Sequence, residues 1–126
     1  LVEYLLACAE NRLASCEPPR FSDDVALTVV MAAEGYPGTP KSGSAIRGIA
    51  AAEAGGAKVF HAGTKLSDGQ LVASGGRVLN VTARGTSVAE AQARPYAAVD
   101  SLDFPDGFCR RDIGWQAVRR ERGAPA

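Results

Sequence analysis

The residues of this chain that could do chemistry are grouped first in a glycine- and proline-rich loop, residues 34–43, with the sequence EGYPGTPKSG. Its prolines fix φ, its glycines permit close backbone approach, and Lys41 adds a positive charge near two hydroxyl groups. These features suit a loop that lies against an anionic substrate, and they also suit a long surface connection. The loop lacks the order and spacing of a phosphate-binding P-loop. Its residues therefore leave both interpretations open.

The single histidine and the three cysteines offer little further chemistry. His61 alternates with Val59 on one face of a predicted strand, and no serine or carboxylate stands at a spacing that would orient it. We therefore expect a hydrogen-bonded structural histidine rather than a catalytic base. Cys8, Cys16 and Cys109 show no C-x-x-C spacing, so the chain has too few ligands for a zinc site. Cys8 lies on the apolar stripe of a predicted helix, where we expect a small, reduced, buried side chain.

Length and charge limit the classes of function. The 126 residues suffice for one domain, and 46% hydrophobic content is typical of a globular protein. Fourteen basic and fourteen acidic residues cancel, which argues against nucleic-acid binding because phosphate contacts need a clustered positive excess. The longest apolar runs are about half of the roughly 20 residues that a membrane-spanning helix needs. We expect a cytoplasmic domain without a signal peptide that binds neither nucleic acid nor membrane.

These residues must be positioned by a sheet. Residues 57–85 contain three strand-like runs whose β-branched and aromatic residues suit a half-buried pleated surface. Ser67-Asp68-Gly69 is typical of a hairpin turn, so the first two runs should pair antiparallel, and Gly75-Gly76 permits a turn or bulge before the third. Residues 25–33, apolar on both alternations, predict a strand covered on both faces. The predicted strands are therefore residues 25–33, 57–63, 71–74 and 77–83.

One helix is predicted to cover this sheet. Ser87 and Glu90 form a capping box, since the serine hydroxyl can accept from the Glu90 amide while the glutamate reaches back. The helix should run to about Leu102, with a kink or an early break at Pro95. We therefore predict an α+β fold, in which a small, mainly antiparallel, barrel-like sheet carries one covering helix and a separate N-terminal helix stands beside it.

The two ends of the chain are predicted to differ from this unit. Apolar residues recur every four positions from Leu1 to Leu13, which indicates an amphipathic helix that ends before Pro18. The helix begins without a capping residue, so we expect its true start to lie upstream in a longer protein. Residues 119–126 have no apolar face and should form a flexible tail.

Four separated blocks of sequence carry a resemblance to a known family. They are GYPGTPKSG after the first strand, then VFHAGT, SGGRVLNVTARG and FCRRDIGWQAV. In this order, and over nearly the whole chain, they resemble the C-terminal domain of phosphoribosylamine–glycine ligases of the ATP-grasp superfamily. The resemblance implies that residues 20–118 form that small domain, a rudimentary single hybrid motif. It also implies that residues 1–17 are the helix that ends the preceding ATP-grasp domain.

The resemblance implies an activity for a longer parent protein. Ligases of this family join glycine to 5-phosphoribosylamine with ATP and Mg²⁺ (or Mn²⁺), through a glycyl phosphate, and so form glycinamide ribonucleotide in purine biosynthesis. Their nucleotide- and metal-binding motifs belong to upstream domains and do not occur in this sequence. The resemblance therefore implies no catalytic residue and no cofactor bound by this chain alone.

In this family the C-terminal domain packs on the N-terminal and ATP-grasp domains and walls one side of the active site. The resemblance thus implies partners within the same protein, and substrate-facing residues in the matching blocks: Gly35, Tyr36, Pro37, Gly38, Lys41, Gly75, Gly76 and Arg77. Arg77 is the first candidate, because a guanidinium can hold a carboxylate or a phosphate through two hydrogen bonds. The alternative is an exposed arginine at a strand edge that pairs with a surface acid.

Two other functions fit the residues. Small hybrid-motif domains include biotinyl and lipoyl carriers, which present a lysine at a hairpin tip. Lys65 lies near such a turn but lacks the flanking methionines of a biotinyl site. A purely structural or oligomerising domain is the other possibility. An adduct on Lys65 would indicate a carrier, whereas full activity of the parent without residues 20–126 would indicate a structural domain.

Overall fold

The computed structural model describes residues 1–123 of the chain. Within this range lie four α-helices and six strands, in the order α1 (Val2–Ala9), β1 (Val25–Ala33), α2 (Ile49–Ala54), β2 (Lys58–His61), β3 (Thr64–Ser67), β4 (Gln70–Ala73), β5 (Arg77–Gly85), α3 (Val88–Asp100), β6 (Gly107–Phe108) and α4 (Trp115–Glu121). The predicted α+β class is confirmed. None of these helices is long and apolar enough to cross a membrane.

The main sheet has four strands in the order β2-β5-β1-β6, and every neighbouring pair is antiparallel, as predicted. The pairing of β1 with β5 runs from Val25 opposite Gly85 to Met31 opposite Leu79, and a bulge then places Ala32 opposite Arg77. Because side chains alternate across a strand, each strand supplies residues to two faces. The open face, on the side of the sheet opposite α3, is formed by Thr28, Val30, Phe60, Asn80 and Thr82.

The covered face of the main sheet packs under α3. Val29, Leu79 and Val81 lie on this face and are completely buried, and Ala98 and Val99 of α3 belong to the same apolar cluster. Burial of each large apolar side chain contributes roughly 1.5–3 kcal/mol relative to exposure. The covered face is therefore the core of the domain.

Helix α3 begins at the capping box that the sequence predicts. Ser87 Oγ accepts from the Glu90 amide at 3.1 Å, while the Glu90 carboxylate binds the amide and hydroxyl of Thr86, one residue before the serine. The predicted early break at Pro95 does not occur, because α3 continues to Asp100. Pro95 is fully buried on the helix face that packs on the sheet, and this packing offsets the backbone hydrogen bond that proline removes.

Residues 57–85 do not form the single three-stranded unit that their pattern predicts. The turn at Asp68 and Gly69, both with positive φ, joins β3 to β4 in a separate two-stranded sheet, and β2 pairs with β5 instead. The pattern misses β3 because its side chains are mostly exposed and show no apolar alternation. Both sheets of residues 1–123 are open, which corrects the expectation of a barrel-like sheet.

The first residues of the chain are helical over a shorter range than predicted. Helix α1 ends at Ala9, and Asn11 in the left-handed region (φ 54°) separates it from a 3-10 turn at Leu13–Ser15. Residues 1–17 are therefore not one continuous helix. Leu1 is 88% exposed, and Cys8 is exposed rather than buried as expected. The apolar side of α1 is thus left uncovered by the rest of residues 1–123.

Helix α4 occupies part of the predicted tail, since it extends to Glu121. The Glu121 carboxylate accepts hydrogen bonds from the amides of Val88 and Ala89 at 2.7 and 3.0 Å, and so satisfies donors in the first turn of α3. These contacts order residues 119–121, for which the sequence pattern shows only an absence of apolar residues. Residues 124–126, the end of the predicted tail, lie outside the described residues.

Candidate functional site

The loop after β1 is held in a defined shape by backbone hydrogen bonds and by one glycine. The Lys41 amide donates to the Glu34 carbonyl at 2.8 Å, and the Tyr36 amide donates to the Ala33 carbonyl at 3.1 Å. Gly35 has a φ of +89°, and a Cβ at this position would lie 2.2 Å from the carbonyl oxygen of Thr39. Any other residue would clash with the backbone, so glycine is required here. Residues 35–41 therefore form a compact loop.

This loop touches the glycine turn that precedes β5. A Cβ on Gly76 would lie 2.3 Å from Cδ2 of Tyr36, so the tyrosine ring lies directly against the glycine backbone. The Gly76 carbonyl also accepts from the Ala33 amide at 2.8 Å, which joins the turn to the end of β1. The fold thus brings together two of the segments that the sequence singles out, residues 35–41 and residues 75–77.

The other glycines of these segments pack closely against backbone. A Cβ on Gly75 would lie 3.1 Å from Cα of Gly63, and a Cβ on Gly38 would lie 3.2 Å from the carbonyl oxygen of Gly35. Both distances are tighter than ordinary van der Waals contact, so a side chain would push the backbones apart. These two glycines serve the close packing of the loop and of the turn.

Arg77 is the first residue of β5 and is exposed beside Tyr36. Because β5 lies between β2 and β1, Arg77 starts a central strand of the main sheet. Among residues 1–123, no acidic side chain forms an ion pair with Arg77. Its guanidinium therefore keeps its charge and donors available for an external carboxylate or phosphate.

Two grooves meet at Tyr36 and Arg77. The first has a volume of about 540 Å³, and its other lining residues are Val30, Ala62, Gly76 and Asn80. The second has a volume of about 380 Å³, and its other lining residues are Thr28, Val30, Ala32, Pro37, Phe108, Cys109, Arg110 and Ile113. Both grooves reach the open face through Val30. The second groove has a mainly apolar lining that includes Arg77 and Arg110, which suits a ligand that has a charged group and a less polar body.

Lys41, by contrast, is held by an internal partner. Its Nζ donates to Oδ1 of Asp106 at 2.6 Å and lies 3.6 Å from Oε2 of Glu34. The hydrogen bond and the charge of Asp106 raise the pKa of Lys41, and the hydrogen bonds from Lys41 and Ser44 lower the pKa of Asp106. The sequence does not single out Asp106, because its partner Lys41 is 65 positions away.

The remaining chemical candidates do not form a reactive cluster. His61 is exposed, and its Nδ1 lies 3.2 Å from Oγ1 of Thr64, a hydrogen bond that agrees with the predicted hydrogen-bonded histidine. Burial raises the pKa of the Cys109 thiol, which disfavours the reactive thiolate. Lys65 lies within β3, not at the hairpin tip where a carrier lysine stands. Within residues 1–123, no three His, Cys, Asp or Glu side chains are grouped so that they could hold a metal ion.

Comparison with known proteins identifies close relatives. A family model described as phosphoribosylglycinamide synthetase, C domain, matches residues 26–116. A phosphoribosylamine–glycine ligase of Mesorhizobium japonicum is 60% identical over 124 residues, which are 98% of this chain and 29% of that protein. The protein of the same name from Escherichia coli K12 is 50% identical over 123 residues, which are 97% of this chain and 28% of that protein.

A solved structure agrees with these relatives. The crystal structure of a phosphoribosylamine–glycine ligase from Thermotoga maritima matches this chain with a TM-score of 0.64 at 30% identity, over 87% of this chain and 27% of that chain. The resemblance carried by the four sequence blocks is thereby confirmed. The chain spans less than a third of the length of each of these relatives.

Proposed function

The chain belongs to the family of phosphoribosylglycinamide synthetase C domains, and from this premise we propose that it is the C-terminal portion of a phosphoribosylamine–glycine ligase. The whole ligase forms glycinamide ribonucleotide from 5-phosphoribosylamine, glycine and ATP in purine biosynthesis, in the cytoplasm. One observation carries the proposal: 98% of the chain matches a ligase of that name at 60% identity.

In this proposal the chain walls one side of the active site and packs on the N-terminal and ATP-grasp domains of the same protein. The open face supports this role, since Val30 and Phe60 are 39% and 51% exposed on it and no helix of residues 1–123 covers it. The uncovered apolar side of α1 supports a second contact with the preceding domain. Exposed apolar surface of this kind marks protein interfaces.

Arg77 is proposed to bind an anionic group of the substrate. Phosphoribosylamine carries a phosphate and glycine carries a carboxylate, and a guanidinium can hold either group through paired hydrogen bonds. Tyr36 and Pro37 line the groove beside it, which supports a shaping role for the loop. The glycines of the loop and of the turn let the backbone approach the substrate closely. Lys41 contacts Asp106.

ATP and Mg²⁺ (or Mn²⁺) are proposed for the whole ligase and not for this chain. Phosphoryl transfer needs metal ions and cationic groups that offset the charge of the transferred oxygens. The described residues do not fit that role, because residues 1–123 hold no group of three metal-ligating side chains and Lys41 already binds Asp106. The nucleotide and the metal are assigned to the upstream domains, so no catalytic step is assigned to this chain.

A comparison of the full-length ligase with the 126-residue chain tests the proposal. The full-length protein should form glycinamide ribonucleotide, whereas the chain alone should neither hydrolyse nor bind ATP because it lacks the nucleotide site. Circular dichroism should confirm that the isolated chain is folded. Deletion of residues 20–126 should abolish synthesis, since one wall of the active site is lost. ATP turnover by the isolated chain, or full activity after the deletion, would contradict the proposal.

A further inference from the structure

Asp106 contacts both ends of the loop that follows β1. Its backbone carbonyl accepts from the amide of Glu34, at the start of the loop, at 2.8 Å. Its Oδ1 accepts from Nζ of Lys41 at 2.6 Å, and its Oδ2 accepts from Oγ of Ser44, the residue that follows the loop. Asp106 thus accepts hydrogen bonds from residues 34, 41 and 44.

Asp106 is itself held in place by the fold. The next two residues form β6, which pairs with Ala33 and Ala32 at the end of β1. The ring of Phe104, a buried core residue, lies so close to Gly107 that a Cβ there would be 2.1 Å from its Cδ1. The side chain of Asp106 is 27% exposed, less than any other acid that forms an ion pair within residues 1–123. An acid fixed in this way can hold a loop in one position.

The contact of Lys41 with Asp106 affects whether Lys41 or Arg77 binds the anionic substrate. Its ammonium group already donates to a carboxylate at 2.6 Å, so an external anion would have to displace a charge-assisted hydrogen bond. Arg77 has no such competitor among residues 1–123. Lys41 and Arg77 therefore have different environments.

We propose that Asp106 is a positioning residue of the ligase, which through Lys41 and Ser44 holds residues 34–44 in the shape that places Tyr36 beside Arg77. Lys41 is then a structural partner of Asp106 and not a ligand of the anionic substrate. This inference rests on the proposed function, since the grooves at Tyr36 and Arg77 are taken as part of the substrate site. It assigns a role to a residue that lies outside the loop and outside the glycine turn.

Hydrogen exchange in the full-length protein tests the positioning itself. Asp106→Asn removes the charge and keeps the size of the side chain, and it should speed exchange of the amides of residues 34–44 about tenfold, because local opening becomes easier. Asp103→Asn is the matched control. Asp103 lies three positions before Asp106, and its substitution removes an exposed ion pair with Arg47 (3.1 Å). It should leave exchange in the loop unchanged. Unchanged loop exchange in Asp106→Asn would overturn the proposal.

Steady-state kinetics test the consequence for the substrate. Asp106→Asn should raise KM about fivefold for the anionic substrate that Arg77 binds, phosphoribosylamine or glycine, and change kcat less than about twofold, because the groove is distorted while the catalytic groups lie elsewhere. Lys41→Met should have the same effect, and the double variant should be no worse than either single variant. If the fold-changes of the two single variants instead multiply in the double variant, Lys41 contacts the substrate itself and the proposal is overturned.

The exchange and kinetic experiments distinguish a failure of this inference from a failure of the proposed function. A full-length protein without ligase activity would contradict the function, whereas the exchange experiment judges the positioning role whether or not the protein is active. Faster loop exchange with an unchanged KM would overturn the link to the substrate. If Asp106→Asn does not fold, Ser44→Ala removes one of the three contacts and should still raise loop exchange about threefold, and an unchanged rate would overturn the proposal.

Discussion

Val29 and Val30 are neighbours in β1, yet Val29 is completely buried and Val30 is 39% exposed. The same contrast divides the whole main sheet, because α3 packs on the covered face and no helix of residues 1–123 packs on the open face. Alternation along each strand builds both faces from the same strands. The covered face holds the domain together, and in the proposed function the open face meets the substrate and the other domains of the ligase.

The contrast also explains one difference from the sequence pattern. Residues 25–33 are apolar on both alternations, which predicts a strand covered on both faces. Within residues 1–123 only one face is covered, and Val30 remains on the open side. Apolar residues on an uncovered face are expected where another protein surface packs. The apolar pattern of β1 therefore agrees with the proposal that this chain is one part of a larger ligase.

The largest expected effect is on stability, and it should depend on which face of the main sheet carries the substituted residue. Val29→Ala should lower the free energy of unfolding by about 2–4 kcal/mol, because it removes buried methyl groups and leaves a cavity. Val30→Ala makes the same substitution one residue away and should lower it by less than about 0.5 kcal/mol. Urea denaturation of both variants measures the difference. Equal losses would mean that the open face is covered in solution.

Substitution of Arg77 tests the proposed role of the open face in substrate binding. In the full-length ligase, Arg77→Ala should reduce kcat/KM for phosphoribosylamine or for glycine by roughly 1.5–3 kcal/mol, the usual worth of a charge-assisted hydrogen bond. The Tm should hardly change, because Arg77 makes no internal ion pair among residues 1–123. Arg84→Ala is the matched control at the far end of β5, where the arginine lies 3.5 Å from Asp24.

Steady-state kinetics with both substrates separate the outcomes for Arg77. A loss for one substrate only would identify which anionic group the guanidinium binds. Unchanged kcat/KM for both substrates would return Arg77 to the interpretation of an exposed surface residue. A similar loss in Arg84→Ala would indicate a general effect of positive charge on this side of the sheet rather than a specific contact.

The smallest expected effect concerns an acid at the margin of the covered face. Hydrogen bonds from the amide and hydroxyl of Thr86 lower the pKa of Glu90 in the folded chain. In the unfolded chain this pKa is about 4.3, so Glu90 stabilises the fold above that pH and loses the contribution as pH falls through its folded pKa. The free energy of unfolding should therefore fall on acidification below about pH 4.3, and less steeply in Glu90→Gln. Equal slopes in denaturation series at several pH values would exclude this role of Glu90.

Much of the local structure was open to prediction from short patterns. Residues 25–33 are a strand with the predicted bounds, Ser87 and Glu90 cap α3, and the turn at Asp68 and Gly69 reverses the chain. Each of these features depends on side chains within a few positions of one another, so its physical cause is visible in the sequence. The pairing of β2 with β5 could not be predicted from such short patterns. Both β2 and β4 have apolar residues suited to pairing with β5, so the sequence does not show which of them does.

The α+β class, the family with its four blocks, and the glycine-rich segments that border the candidate site could all be inferred from the order of the amino acids. The contacts of Tyr36 with Gly76, of Asp106 with Lys41 and of Glu121 with the first turn of α3 are seen only in the folded chain. The two groups of features differ in the sequence separation of the residues that interact. Alternation and capping act between neighbouring residues, whereas these contacts join positions far apart in the chain, and they form only after the sheet has fixed the distances between them.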